Sequence, residues 1–272
     1  MSTPMDSRYA GVSELPPYRS LLVVDMKDYS GNASRYQTEL TRLIPEILQS
    51  AFDRAGLAWV WARKTAHNTT GDGYAIVLPT ELLPHLLNPF LTALQEELEY
   101  RNRHRPYGWN GPIRFRVSIN VGPVADSGAN ELGDGSGAER VTLHRLLDSE
   151  PVRHLLNGSD PEVTHVAAII SRRVYEDAVL SELADEPKSL YVEAGAKVKT
   201  YQGQAYLRVP KPSAGLLIEG FLTGPDDQSG TQDQGAPTGP SSGIGVQING
   251  ASGPIHAGSG SQYNTDPHRH QR

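Results

Sequence analysis

The apolar residues of this chain switch repeatedly between strand spacing and helix spacing from about Tyr18 to Pro210. A short apolar run at residues 21–24 is typical of a buried strand, whereas Ser34–Arg54 carries its apolar residues on one helical face. The patterns follow the order β-α-β-β-α-β-α-β-α. Because two strands follow each other directly, we expect a sheet that is partly antiparallel. The predicted fold class is α+β, with a mixed sheet covered by helices.

The individual patterns give the expected elements in chain order. We predict strands at residues 21–24, 57–61, 74–78, 113–121, 163–170, 190–194 and 204–209, and helices at 34–54, 80–103, 138–147 and 172–183. Residues 113–121 alternate apolar and polar side chains, which indicates one buried face.

The composition of the chain changes after Pro210. Residues 211–272 are rich in Gly, Ser, Pro, Asp and Gln and have few large apolar side chains. Such a segment cannot bury enough surface to offset its ordering entropy. We therefore expect a leader at residues 1–17, one domain at 18–210 and a disordered tail at 211–272.

Charge and hydropathy exclude several classes of protein. The formal net charge of −6 argues against a non-specific nucleic-acid binder, and we expect no nucleic-acid partner. A local group of arginines is interpreted as a solvated face: Arg101, Arg103, Arg105, Arg114 and Arg116. The absence of cysteine excludes disulfides and thiolate metal sites. With no long apolar run and no secretory signal, we expect a cytoplasmic protein without a membrane partner.

Two aspartates are the candidate metal ligands. Asp72 lies between Gly71 and Gly73 before an apolar run, and this pattern alone indicates a hairpin turn. Asp25 ends the first predicted strand. If the two strands are neighbours, both carboxylates reach one spot, where they repel unless they share a proton or a cation. Hard oxygen ligands of this kind suit Mg²⁺.

Ordered motifs in this chain resemble the catalytic domain of class III nucleotidyl cyclases, the adenylate and guanylate cyclases. Residues 25–30, DMKDYS, resemble the first metal motif of that family, and residues 70–74, TGDGY, resemble the second. Residues 116–123, RVSINVGP, resemble the strand and turn that follow. Asp134 with Gly137, and then Arg145, match the last two motifs. The resemblance covers about residues 20–210.

The resemblance implies a ferredoxin-like nucleotidyl cyclase fold and a phosphorus–oxygen lyase. The expected reaction is two-metal cyclisation of a nucleoside triphosphate to a 3′,5′-cyclic nucleotide in a signalling role. Two Mg²⁺ or Mn²⁺ ions would bind Asp25 and Asp72, and Arg145 would stabilise the transition state. The expected nucleotide-binding residues are Met26, Asn68, Gly71 and Asp134. In this family the site forms across a homodimer, with the aspartates from one subunit and the arginine from the other.

The chain departs from the family at positions that matter for chemistry. Val141 stands where an asparagine would orient the ribose, and Asn68 stands where a lysine would read adenine. Lys64 could replace that lysine only if its loop shifted. Lys27 and Asp28 replace small residues beside the first aspartate.

Three hypotheses remain open after these departures. The chain is an active cyclase with altered base preference, for guanine or a pyrimidine. Alternatively, it binds metal and nucleotide but is catalytically weak. In the third hypothesis it is an inactive sensor or scaffold that assembles through its C-terminal motif.

The tail contains a short repeat that suggests a second function. Residues 245–249, GVQIN, are echoed by residues 260–264, GSQYN. In-register stacking of such segments gives amide ladders and a dry apolar interface. The repeat resembles amyloid-signalling motifs of bacterial and fungal immune proteins and the RIP homotypic interaction motif. We therefore hypothesise amyloid-type assembly through residues 243–265, with a plain flexible tail as the alternative.

Overall fold

A computed structural model describes residues 14–199 and 201–221 of the protein. Seven strands form one sheet in the order β2-β3-β1-β4-β5-β7-β6. The strands are β1 (Tyr18–Met26), β2 (Ala66–Thr69), β3 (Gly73–Pro79), β4 (Phe115–Pro123), β5 (Val166–Ser171), β6 (Val192–Val198) and β7 (Tyr201–Arg208). Neighbouring strands are antiparallel except β4 and β5, which are parallel.

Helices cover both faces of the sheet. The helices are α1 (Ser34–Arg54), α2 (Ala58–Trp61), α3 (Leu83–Leu87), α4 (Phe90–Arg103), α5 (Ala138–Asp148), α6 (Glu150–Asn157), α7 (Arg172–Val174) and α8 (Ala214–Glu219). One π-type turn, Tyr175–Leu180, continues α7. The predicted α+β class, with a mixed sheet covered by helices, is confirmed.

The alternation along β1 assigns each side chain to one of the two faces. Leu22 and Val24 join the large core that includes α1 and α4, whereas Leu21 and Val23 pack with α5 on the opposite face. Because side chains alternate along a strand, Asp25 follows Leu21 and Val23 onto the α5 face. The fold therefore brings the end of β1 and helix α5 to the same side of the sheet.

The strand predicted at residues 57–61 is wrong, because this segment forms the short helix α2. The structure buries Leu57 and Val60, which are three residues apart, and leaves Trp59 half exposed. That spacing belongs to one helical turn, whereas a strand would have buried Leu57, Trp59 and Trp61 together. The second strand of the sheet is instead β2, which the sequence did not reveal because Asn68 and its neighbours are polar and exposed.

The helix predicted at residues 80–103 is divided into a 3₁₀ turn at Thr80–Leu82, helix α3 and helix α4. Asn88 adopts an extended backbone, as expected for a residue that precedes proline. Its side-chain amide donates to the carbonyl oxygens of Ala184 and Asp185, which fixes the break. Helix α6, also missed, covers β5 and β6 on the α5 face.

The described structure continues beyond the boundary expected at Pro210. Helix α8 follows, and Leu216 is buried in a core cluster with residues of α6, β5 and β7. The Thr164 hydroxyl donates to the Lys211 carbonyl oxygen over 2.8 Å. Most of the predicted leader, and the tail motif at residues 243–265, lie outside the described residues. Among those that are described, no helix combines the length and apolar character needed to cross a bilayer.

Candidate functional site

The segment around Asp72 is the turn of the hairpin that joins β2 and β3. The Thr70 N–H donates to the Gly73 carbonyl oxygen over 3.0 Å and closes the turn. The Met26 N–H donates to the Asp72 carbonyl oxygen over 2.9 Å, directly after the register pair Asp25 and Gly73. The hairpin therefore brings Asp72 next to the end of the strand that carries Asp25.

Two glycines make this approach possible. Gly71 has a φ of 92°, in the left-handed region that glycine adopts without a steric cost. A Cβ on Gly73 would clash with the Val24 carbonyl oxygen and would lie 2.6 Å from the Thr70 hydroxyl oxygen. No larger residue at position 73 would allow β3 to pack so closely against β1. The glycines that flank Asp72 are thus required by the backbone of the site.

A hydroxyl network ties the hairpin turn to helix α1. The Thr41 hydroxyl lies 2.9 Å from the Gly71 carbonyl oxygen and 2.7 Å from the Tyr29 hydroxyl. The Tyr29 hydroxyl also donates to the Gln37 carbonyl oxygen over 3.0 Å. Between Asp25 and this network, Asp28 has a φ of 59°. This left-handed conformation is uncommon for a residue other than glycine.

The surroundings of Asp25 shift the pKa of its carboxyl group. Burial raises its pKa, and the charges of Asp72 and Asp148 raise it further, while Arg116 opposes the shift. The Arg116 guanidinium forms an ion pair with Asp25, in which Nε lies 3.1 Å from Oδ2. Since Asp72 and Asp148 both act on the Asp25 carboxyl, this end of the sheet concentrates negative charge.

The carboxylates of Asp25 and Asp72 suit a divalent cation whose remaining ligands are oxygens of water or phosphate. Both Arg116 contacts go to Oδ2 of Asp25, so Oδ1 accepts no hydrogen bond from the described residues. Those residues include no group of three or more His, Cys, Asp or Glu side chains suited to a metal. A site on Asp25 and Asp72 would therefore need outside oxygens, and Mg²⁺ commonly takes such oxygens from water and substrate phosphates.

A cavity of about 360 Å³ brings Asn68 and Asp134 together, as their predicted common role requires. Asn68 is exposed on the edge strand β2. The Asp134 carboxylate accepts hydrogen bonds from the Ser127 N–H, the Ser127 hydroxyl and the Glu131 N–H, at 2.6–2.9 Å. The bonds from Ser127 lower its pKa and keep it ionised. Asp134 thus shapes its own loop, with little acceptor capacity left for a ligand.

Lys64 does not line that cavity. Its ammonium donates to the Trp61 carbonyl oxygen over 2.6 Å and lies 3.4 Å from the centroid of the Trp61 ring. Burial lowers the pKa of Lys64 to about 8. Met26 is also constrained: its side chain is only 4% exposed in the core, so a nucleotide could contact only its backbone.

Arg145 lies on helix α5 in a neighbouring cavity of about 490 Å³, which His144 and Asp148 also line and which shares Ser136 and Arg140 with the cavity of Asn68 and Asp134. Neither Asp25 nor Asp72 lines this cavity. Val141, the residue at the expected asparagine position, is 49% exposed and lines the same cavity. Among the described residues, no hydrogen bond or ion pair joins Arg145 to Asp25 or Asp72.

Sequence reasoning missed three charged residues of this region: Arg116, Asp148 and Arg140. Interpreting the arginine group as a solvated face is wrong for Arg114 and Arg116. The Arg114 guanidinium is buried and donates to the carbonyl oxygens of Thr164 and Leu156. The sequence signal for Arg116 was its place at the start of the strand motif RVSINVGP. Only the register of β4 against β1 shows that it lies opposite Asp25. No sequence signal singled out Asp148.

Comparison with known proteins gave no matching family model and no matching curated protein. Among solved structures, the chain is similar to a bacterial light-regulated adenylyl cyclase, with a TM-score of 0.50 and 10% identity over 75% of this chain and 55% of that one. It is also similar to the guanylyl cyclase domain of the RhoGC fusion protein from the aquatic fungus Blastocladiella emersonii, with a TM-score of 0.45 and 15% identity over 73% of this chain and 99% of that one. A third similar structure is the adenylyl cyclase CyaB from P. aeruginosa, with a TM-score of 0.45 and 17% identity over 71% of this chain and 94% of that one.

The likeness to the light-regulated adenylyl cyclase confirms the expected fold. The described domain has the α+β fold of class III nucleotidyl cyclase catalytic domains. At such low identity the likeness concerns the fold alone, and the chemistry has to be argued from the residues of this chain.

Proposed function

We propose that this protein is a nucleotidyl cyclase, which converts a nucleoside triphosphate to a 3′,5′-cyclic nucleotide and pyrophosphate. The observation that carries the proposal is the hydrogen bond between the Met26 N–H and the Asp72 carbonyl oxygen, 2.9 Å long. It holds the hairpin beside the end of β1 and concentrates two carboxylates there. In the proposed reaction the ribose 3′-hydroxyl loses its proton to solvent and its oxygen bonds to the α-phosphorus, while the bond from that phosphorus to the oxygen bridging to the β-phosphate breaks and pyrophosphate leaves.

Asp25 and Asp72 would hold two divalent cations, Mg²⁺ or Mn²⁺, together with oxygens of the substrate. When bound, such ions supply charge that favours ionisation of the 3′-hydroxyl and neutralises the phosphates. Arg116 supports this role, because its guanidinium already contacts Asp25 and could donate to a phosphate oxygen. Met26 and Gly71 would contact the nucleotide through their backbones, and Asn68 with Asp134 would lie near its base.

Arg145 would act on the phosphates from a second copy of the chain. Within one chain its cavity lacks both aspartates. A guanidinium aimed at the transferring phosphate stabilises the charge that develops there. The proposal therefore includes a homodimer whose site is incomplete in either subunit alone.

Product analysis by mass spectrometry tests the proposal. Purified protein would be incubated with ATP, GTP, CTP and UTP in the presence of Mg²⁺ or Mn²⁺. A cyclic nucleotide should form with the wild type and with Asp53→Asn, whose carboxylate is exposed on α1. It should vanish with Asp72→Asn.

The absence of product from every triphosphate, with a folded wild type, would reject catalysis. That outcome would favour the sensor or scaffold hypothesis. The absence of a hydrogen-bonding side chain at Val141 would then explain the loss of catalysis. Product that persists in Asp72→Asn would reject the proposed role of the carboxylate pair.

A further inference from the structure

The cavity that holds Asn68 and Asp134 has an apolar floor and one arginine in its wall. Leu21, Ala75 and Leu143 line the floor, and Arg140 projects from the first turn of α5. A flat heterocycle suits a cavity of this kind, because apolar side chains pack against ring faces while polar groups read ring edges. The volume of about 360 Å³ is sufficient for a nucleobase.

The Arg140 guanidinium, which lines the cavity, passes close to Gly135. Its Nη1 atom lies 3.3 Å from the position that a Cβ on Gly135 would occupy. Gly135 has a φ of 75°, which a larger residue would adopt only with strain. Any substitution of Gly135 would thus disturb both the loop and the space that the guanidinium uses.

Backbone and side-chain contacts fix the turn of helix that carries Arg140. The Asn120 amide donates to the Glu139 carbonyl oxygen over 2.9 Å and to the Glu139 carboxylate over 2.8 Å. A Cβ on Gly137 would lie 3.1 Å from the Pro123 carbonyl oxygen, so the start of α5 packs closely against the end of β4. The fold therefore fixes the position of the Arg140 backbone beside the cavity.

The hydrogen-bonding groups around the cavity include both donors and acceptors, among them the Arg140 guanidinium and the Glu131 carboxylate. In residues 14–199 and 201–221 no hydrogen bond or ion pair engages the Arg140 guanidinium, which carries five N–H donors. Of the two carboxylates in the lining, that of Asp134 already receives three hydrogen bonds from its own loop, whereas that of Glu131 is exposed and could accept from a ring N–H. The Asn68 amide offers one donor group and one acceptor group.

We propose that Arg140 selects a base with a ring carbonyl oxygen, guanine or uracil, over a base with an amino group at the corresponding position, adenine or cytosine. An arginine fork matches carbonyl and ring-nitrogen acceptors, whereas an exocyclic amino group presents donors to donors. Asn68 completes the match, since its amide can pair with a ring N–H and the adjacent carbonyl. The inference rests on the proposed function, because it concerns the base of the same nucleotide.

Binding of 3′-deoxynucleoside triphosphates to the full chain tests this inference. These analogues lack the 3′-hydroxyl and cannot cyclise, so calorimetric titration with Mg²⁺ reports affinity alone. The guanine or the uracil analogue should bind about tenfold or more tightly than the adenine and cytosine analogues. Separate titrations of the guanine analogue and the uracil analogue show which of these two bases is preferred. Arg140→Gln should remove the preference, while Arg42→Gln, an exposed arginine of α1, should retain it.

The outcomes separate the inference from the proposed function. Tight binding of the adenine or cytosine analogue to the wild type would overturn the inference and leave the cyclase proposal intact. An equal loss of affinity for all four analogues in Arg140→Gln would mean that Arg140 contacts phosphate rather than base. Failure of every analogue to bind the wild type would reject the proposed function itself. The wild-type comparison stands even if Arg140→Gln fails to fold.

Discussion

The hairpin end of the sheet and the surface of helix α5 differ in what determines their residues. At the hairpin end, formed by the end of β1 and the turn at residues 70–73, the backbone requires Gly71 and Gly73. On α5, Val141 and Arg145 line an open cavity, and Val141 is half exposed. Folding therefore dictates little at those two positions. The departure from the cyclase pattern at Val141 on α5 therefore carries information about a ligand or partner. A departure at a packed turn would not carry such information.

The largest expected effect concerns whether the two regions act together across two chains. Asp72→Asn and Arg145→Gln should each lower cyclic nucleotide formation at least about 100-fold, as expected for loss of a group that stabilises phosphate charge. Co-expression of the two variants should restore about a quarter of the wild-type activity, because half of the dimers then contain one intact site. The measurement is the rate of product formation by each purified sample.

Co-expressed protein that is as inactive as either variant alone would contradict a site shared between chains. Size-exclusion chromatography with light scattering on the same samples shows whether dimers formed. Dimers without restored activity would place Asp72 and Arg145 in one site within a single chain.

The second effect concerns the backbone constraint at the hairpin end. Gly73→Ala should lower the free energy of unfolding by about 3 kcal/mol, because the new methyl group would overlap the backbone of β1. Gly195→Ala is the matched control in strand β6, where no heavy atom of the described residues lies within 4 Å of the new Cβ. It should raise the stability by up to about 1 kcal/mol. Urea denaturation followed by circular dichroism measures both, and equal stabilities would refute the constraint.

The third effect is the stabilisation of the folded protein by divalent cations and the pH dependence of that stabilisation. Burial first, and then Asp72 and Asp148, raise the pKa of Asp25 above 3.8. Without a cation, folded Asp25 holds its proton more tightly than the unfolded chain does. The contribution of Asp25 to stability therefore falls as pH rises through the window from 3.8 to that raised pKa.

A cation that binds ionised Asp25 reverses this loss above the same window. At 100 times its dissociation constant, Mg²⁺ should stabilise the fold by about 2.7 kcal/mol at neutral pH, and the gain should disappear as the solution is acidified. Thermal melts with and without Mg²⁺ measure the gain. The same gain in Asp72→Asn at neutral pH would show that the ion binds elsewhere.

Sequence periodicity predicted the long elements because their apolar spacing is set by burial on one face. Helix α1 begins and ends at the predicted residues, and Leu40, Ile44 and Leu48 are buried along it. Periodicity failed where the spacing was ambiguous over one turn, as in α2, and where the strand was a polar edge, as in β2. Short apolar runs do not distinguish a helix from a strand.

The motifs indicated the aspartates but not their surroundings. The spacing of Asp25 and Asp72 gives two carboxylates, whereas the ion pair with Arg116 depends on the register of β1 against β4. The engagement of Asp134 by Ser127 depends on the conformation of a loop, and so does the entry of Arg140 into the cavity. These contacts join residues that no periodic pattern connects.

The two outer strands of the sheet determine how another chain can attach to it. Strand β2 has only four residues, and β6 alternates small buried alanines with exposed Glu193, Gly195 and Lys197. Short or charged outer strands discourage the addition of a foreign strand by main-chain hydrogen bonding. A second copy of this domain should therefore associate through side-chain surfaces such as that of α5. Association of that kind can be altered by single substitutions without disturbing the sheet.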